Sequence, residues 1–175
     1  GTTCFMLEKL FLNKGYRVGL YTSPHLFSYL ERVRINGHVL DEKDHISAFK
    51  DVEYARQSII LSYFEFITLS ALILFKHNIL DVIILEVGIG GRLDATNIID
   101  SDISIITTIG MDHTILLGSD RFSIAKEKAG IFRKEKIALI GEKNIPDSIY
   151  QIAQDQKIIL KKNKVDWFWE KKDHY

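Results

Sequence analysis

Glu86 follows the branched apolar run VIIL and precedes glycines at positions 88, 90 and 91. A carboxylate at the end of a buried strand is costly unless it meets a cation or hydrogen-bond donors, and such an acid can hold magnesium opposite a phosphate. The glycines let backbone approach a ligand closely, or serve only a tight turn. A salt bridge to Arg92 is the competing account of Glu86. His113, after Asp112, ends the next apolar run, where its imidazole can face the same cavity. Magnesium prefers oxygen, so a histidine ligand is unusual and a structural histidine is the alternative. Ser23, before Pro24 and His25, offers a hydroxyl at a third strand end or simply fills a turn. Gly1, Thr2 and Thr3 stand directly before a helical pattern. Backbone N–H groups and the helix dipole attract anions there and a threonine can reach magnesium, although the same residues also make an ordinary cap. Lys128, in AKEKAGIF, reads by position alone as a surface lysine paired with Glu127 or a neighbour.

The elements that must position these groups alternate along the chain. Phe5, Met6, Leu10 and Phe11 have near-helical spacing between Thr2 and Asn13, and Gly15 supplies the stop. Val18 to Tyr21 reads as a buried strand. Glu31 to Leu40 alternates around a turn at Asn36 and Gly37, predicting a small hairpin. A polar helix follows Asp41 and runs to about Gln57. A second helix, from Tyr63 to about His77, is apolar almost all round and is expected to be buried. Asp81 to Val87 and Ile103 to Thr108 lack alternation, as parallel strands covered on both faces do. The loops GIGGRLDATN and GMDH lie at strand ends, where open α/β sheets bind ligands. A helix over Ser123 to Ala129, a strand over Ile137 to Ile140 and a helix from Asp147 to about Gln156 continue the alternation. Lys161, Lys162 and Lys164 read as a solvated turn, and VDWFWEKKDHY as a strand with a polar turn after it.

The 175 residues suit one α/β domain with a mostly parallel sheet flanked by helices, and 23 basic against 23 acidic residues give no net charge. No basic stripe points to nucleic acid. The single Cys4 makes no internal disulfide and fits a helix face; with no secretory leader pattern, a cytoplasmic protein is expected. The run from Ser58 to Phe75 is nearly the length of a membrane span. Glu65 near its middle costs about 2.5 kcal/mol or more in hydrocarbon, so a core helix with a functional carboxylate is the reading, and no membrane is expected.

In order, GTTCFMLEKLFLNKGYRVGLYTSPHL, ERVRING, SYFEFITLSAL, ILEVGIGGRLDATN, TTIGMDHTILLG and IAKEKAGIFR resemble the motifs of folylpolyglutamate synthase, including the bacterial type that is also dihydrofolate synthase. EVGIGGRLDATN and EKAGIFR separate this family from its relatives, the peptidoglycan-building Mur ligases. The resemblance implies the P-loop NTPase-like, ATP- and magnesium-binding central domain of a Mur-type ligase over residues 1–175, truncated at both ends. The chain would then start inside the phosphate loop and lack the carboxy-terminal glutamate-binding domain, leaving this piece inactive by itself. Gly1 and Thr2 resemble the end of the family's phosphate loop. Thr2, Ser23, Glu86 and His113 match its metal-site residues, with Glu86 and His113 acting through metal placement. Lys128 matches a lysine that is carbamylated and helps organise the second of two magnesium ions. Ser62, Tyr63, Phe64 and Glu65, with Leu93, Asp94 and Ala95, match its pterin-binding segments. Aromatic rings can pack on a flat heterocycle and carboxylates can accept its amino hydrogens, although Phe64 also suits an ordinary core. The implied reaction joins L-glutamate to dihydropteroate or a folate at the expense of ATP, through an acyl phosphate, in a monomer. The competing readings are a Mur-type ligase acting on a UDP-linked acid and a noncatalytic folate- or nucleotide-binding module.

Overall fold

Gly15, at φ +84°, turns the chain back after α1, which spans Thr2–Asn13 as the sequence predicts. The helix packs through a different face from the one the apolar spacing suggested. Cys4, Leu7, Phe11 and Leu12 meet Val18, Leu20 and Ile84, while Phe5, Met6 and Leu10 remain 45%, 57% and 60% exposed. Glu8 lies on the packed face and is fully buried. Its Oε1 accepts from Arg34 Nε at 3.0 Å, and Oε2 has no partner among the described residues. Arg34 and Lys9 explain the exposed Phe5: their cationic groups lie 5.8 and 5.2 Å from its ring centre, a favourable contact that needs no core.

The computed structural model describes residues 1–168, which fall into two units, Gly1–Gly88 and a second beginning at Ile89. In the first, β1 (Val18–Tyr21) is buried along its whole length. It pairs in parallel with β4 (Val82–Leu85), from Val18 opposite Val82 to Tyr21 opposite Leu85. On its other side it pairs antiparallel with β2 (Val33–Ile35), which joins β3 (His38–Val39) through Asn36 and Gly37, both at positive φ. That is the backbone a two-residue hairpin turn requires. Helices α2 (Glu42–Arg56) and α3 (Tyr63–Lys76) cover this sheet with Ala48, Ile67, Ala71, Leu74 and Phe75. A Cβ at Gly19 would lie 2.7 Å from Leu80 Cδ1 and 2.8 Å from Phe75 Cδ1, so the missing side chain is what lets these two residues press on the strand.

The apolar run from Ser58 divides at Ser62. Residues up to Ser62 are outside the helix, which places Glu65 in the first turn of α3, exposed, rather than in the middle of a buried helix. Among the described residues no helix is long and apolar enough to cross a membrane.

The second unit is wholly parallel in its sheet: β5 (Ile103–Ile106), β6 (Ile137–Ile140) and β7 (Ile159–Lys162), in that order. Around it lie α4 (Thr114–Leu117), α5 (Arg121–Ala129) and α6 (Asp147–Asp155). Ile106, Ile124, Ile140 and Ile149 form the centre of its core. Two sequence expectations are corrected here. Lys161 and Lys162 belong to strand β7, not to a solvated turn, and Val165 and Asp166 form a turn where a strand was expected. Residues 169–175 of that terminal run lie outside the described residues. Each sheet also ends on an edge with no neighbouring strand among the described residues: β4 in the first unit, β5 in the second.

Candidate functional site

Three of the expected site residues meet at the carboxyl ends of β1 and β4. The Glu86 amide donates to the Tyr21 carbonyl at 2.9 Å, continuing the parallel ladder one residue past the strand. The Glu86 carboxylate accepts from the Ser23 amide at 3.0 Å through Oε2, and Oε1 accepts from the Gly1 amino group. Gly1 is the N-cap of α1 and Thr2 its first residue, so the acid faces the positive end of that helix dipole. The Glu86 side chain keeps 19% exposure, enough to be reached. Burial, and Glu86 after it, push the Cys4 thiol upward, which makes the nearby cysteine a poor nucleophile. The alternative salt bridge is not made, since Arg92 pairs with Glu127.

This donor set fits magnesium. Glu86 offers a carboxylate, and hydroxyls are carried by Ser23, whose amide donates to Glu86, and by Thr2, the first residue of α1. Magnesium is commonly held by one or two carboxylates, with phosphate oxygens and water completing its shell. Among the described residues no three Asp, Glu, His or Cys side chains gather into a metal cage of their own.

At the start of α3, Ser62 and Glu65 form a reciprocal capping box. Ser62 Oγ accepts from the Glu65 amide at 3.3 Å, and a Glu65 carboxylate oxygen accepts from the Ser62 amide at 2.7 Å. The Ser62 contacts hold the Glu65 carboxyl below its usual range. Tyr63 is 62% exposed, whereas Phe64 packs on the core with its ring 6.1 Å from that of Tyr21. Arg32 lies beside Tyr63, its guanidinium carbon 5.8 Å from the ring centre, and its Nε donates to His25 Nδ1 at 2.8 Å.

In the second unit, the segment carrying Leu93, Asp94 and Ala95 is clasped to the helix that carries Lys128. A Cβ at Gly130 would lie 2.3 Å from Arg92 Cβ, and one at Gly91 would lie 2.9 Å from the carbonyl oxygens of Glu127 and Lys128. The absence of both side chains allows the close approach. The Arg92 amide then donates to Glu127 O at 2.9 Å, and Arg92 Nε reaches the Glu127 carboxylate at 3.0 Å. Asn97 Nδ2 donates to Arg92 O at 3.0 Å and Gly130 O at 3.1 Å, while Arg133 binds Asn97 O and Oδ1 at 2.8 and 2.9 Å. Asp94 shapes the loop by accepting from the Ile89 amide at 3.0 Å and from the Thr96 amide and hydroxyl at 3.0 and 2.6 Å. Leu93 is 79% exposed. Lys128 is half-buried and makes no ion pair among the described residues, its expected partner Glu127 being taken by Arg92.

His113 caps α4 from the left-handed region, φ 52° and ψ 37°, with its side chain exposed. The backbone leading to it is fixed at Ile109, whose amide donates to Glu142 at 3.1 Å and whose carbonyl accepts from Arg121 Nε at 3.1 Å. The Ile109 amide is the main reason the Glu142 carboxyl is held low. Sequence reasoning missed Arg121, Glu142, Asn97 and Arg133 as organisers of these loops. The spacing GGR and KAGIFR, small residues beside arginines in two loops, was the only trace of the clasp.

The fold is that of a Mur ligase-type ATP-binding domain. No family model matches the sequence. Its relatives are specific. The dihydrofolate synthase/folylpolyglutamate synthase of Buchnera aphidicola subsp. Acyrthosiphon pisum is 66% identical over 175 residues, 100% of this chain and 43% of that protein. That of Escherichia coli K12 is 53% identical, across 99% of this chain and 41% of the relative. The solved structure of E. coli FolC in complex with DHPP and ADP superposes with a TM-score of 0.97 at 53% identity, covering 99% of this chain and 42% of that one. A bifunctional folylpolyglutamate synthase/dihydrofolate synthase with Mn, AMPPNP and L-glutamate bound gives 0.93 at 54% identity, covering 98% and 42%. The chain belongs to the dihydrofolate synthase/folylpolyglutamate synthase family and spans about two fifths of the length of these relatives.

Proposed function

We propose that the full-length protein is an ATP-dependent ligase that joins L-glutamate to dihydropteroate, to a folate, or to both. The meeting of Ser23 and Glu86 at one sheet end beside the N-terminus of α1 carries this reading, because it sets an acid and a hydroxyl-bearing neighbour against a helix that opens on Thr2. The relatives' ligands, ADP, AMPPNP, Mn, DHPP and L-glutamate, support it.

In the proposed reaction a carboxylate oxygen of the pterin-bearing acid bonds to the terminal phosphorus of ATP as the bond to ADP breaks. The glutamate amine then attacks the acyl carbon of the resulting acyl phosphate, and phosphate leaves with its bonding electrons. Bound magnesium supplies neutralisation of the charge on the phosphoryl oxygens. Glu86, Ser23, Thr2 and His113 would hold it, and Lys128, once carbamylated, would be an anion that helps organise a second ion. Gly1 and Thr2 orient phosphate through the amides of the first turn of α1. Ser62 to Glu65 and Leu93 to Ala95 receive the pterin, with Tyr63 and Leu93 presenting the most exposed apolar surface. Action in the cytoplasm as a monomer completes the proposal.

The test uses the full-length natural protein with ATP, magnesium and dihydropteroate. ADP formation that depends on L-glutamate is expected, and Glu86→Gln should lower it at least about a hundredfold, as loss of a main electrostatic support does. ADP release indifferent to glutamate, or turnover of a UDP-linked acid and not of the pterin acid, would overturn the reading.

A further inference from the structure

Arg32 is 7% exposed, yet it makes no ion pair among the described residues. A guanidinium stays charged at any ordinary pH, so burying one without a carboxylate is costly unless a ligand supplies the missing charge. The nearest acid in the chain, Glu31, is consumed elsewhere: its oxygens accept from the amides of Leu26, Phe27 and Ser28 at 2.8, 3.0 and 2.9 Å. Arg32 Nε is fixed on His25 Nδ1, while its terminal nitrogens donate to nothing among the described residues and are not sealed from solvent. Because Arg32 is always the donor in that bond, a neutral His25 must carry its proton on Nε2, turning a second N–H donor outward. The Arg32 carbonyl accepts from the Thr22 amide at 2.9 Å, one residue from Ser23, which anchors this pair at the same sheet end as Glu86.

We propose that Arg32 and His25 together bind a substrate carboxylate, belonging either to the pterin-bearing acid or to L-glutamate. The inference rests on the ligase reading above. The Arg32 fork takes the carboxylate through its terminal nitrogens, the Nε2–H of His25 adds a third donor, and the exposed Tyr63 ring flanks the guanidinium.

Steady-state kinetics of the full-length protein test this with Arg32→Gln, Arg32→Lys and His25→Leu. Removing charge-assisted hydrogen bonds should raise KM for one acid substrate about ten- to a hundredfold in Arg32→Gln, and KM for ATP by less than about threefold. Arg32→Lys should raise the same KM by a smaller factor, since it keeps the charge and loses the fork. Whichever acid responds identifies the carboxylate. A folded Arg32→Gln with both acid KM values unchanged, or with all three raised alike, overturns the proposal. Should Arg32→Gln fail to fold, Arg32→Lys decides by the same criterion. Should the wild type make no glutamate-dependent ADP, the ligase reading falls on that ground alone. Titration calorimetry of dihydropteroate and of L-glutamate on wild type and variant then judges the pair separately, equal affinities overturning it.

Discussion

The two units bury different kinds of side chain. The first takes charged and titratable groups into its interior: Glu8 is fully buried, His45 is 1% exposed and Arg32 7%. Among its described residues the second buries only Thr96, Ser104 and Ser148 of the polar kind and fills its core with isoleucine and alanine, leaving its arginines to tie loops at the surface. Order at a strand end can therefore be reached in two ways. One places ionic groups under the sheet and accepts their desolvation cost; the other packs backbone against backbone where side chains are missing.

Glu8 offers the hardest blow to the first arrangement. Glu8→Ala leaves Arg34 without its carboxylate and should cost about 3–5 kcal/mol, measured by denaturant unfolding of the full-length protein, because a half-broken buried pair strands a charge. If instead the loss is no larger than that for Arg92→Ala, whose partnership with Glu127 is partly solvated, the contrast between the units fails.

Gly130→Ala strikes the second arrangement. Its Cβ would collide with Arg92 Cβ and Cα, and the helical φ of −60° at Gly130 leaves the alanine no conformational reason to be disfavoured. Overpacking should cost about 1–3 kcal/mol, and hydrogen exchange of the Arg92 and Asn97 backbone should quicken with it. Unchanged exchange there would mean the clasp does not hold the loop.

His45 sharpens the comparison through pH. Both of its ring nitrogens lack partners, Tyr29 and Phe49 pack edge-on and tilted around it, and burial holds its pKa below the usual value. A depressed folded-state pKa means the unfolded chain binds the proton more readily. Stability is then complete above the unfolded value of about 6.5 and falls as pH drops below it, by at most about 1.4 kcal/mol per pH unit. His45→Phe should remove that slope below about pH 6.5 in thermal or denaturant unfolding. A slope that survives the substitution would assign the acid sensitivity to another group.

Much of the framework was legible in the residues. The spans of α1, β1 and β6 agree with the sequence reading because each is bounded by a strong stop or is an unbroken apolar run. The face of α1 was not, since spacing locates apolar residues without saying that a buried glutamate shares their side. β7 escaped because Lys161 and Lys162 mask its alternation, and α4 because four residues cannot show a helical period. Glu86 and Ser23 were legible as strand-end groups, and their contact needed the parallel register of β1 with β4. Glu65 was misplaced in depth: hydropathy ran through Ser62, while the capping box starts the helix there. The Arg32 and His25 contact left no readable mark, as a charged residue beside a hairpin is ordinarily solvated.

The unpaired edges of β4 and β5 bear on how this stretch of chain behaves when handled alone. Each carries an exposed isoleucine and has no neighbouring strand in its own sheet, Ile83 being 48% and Ile103 53% exposed. Neither edge is shielded by the proline, bulge or inward charge that discourages strand addition. In concentrated solution these rims are templates on which further copies can lay down strands, so the isolated polypeptide should self-associate as its concentration rises, and a pairing segment in the full-length protein would suppress this.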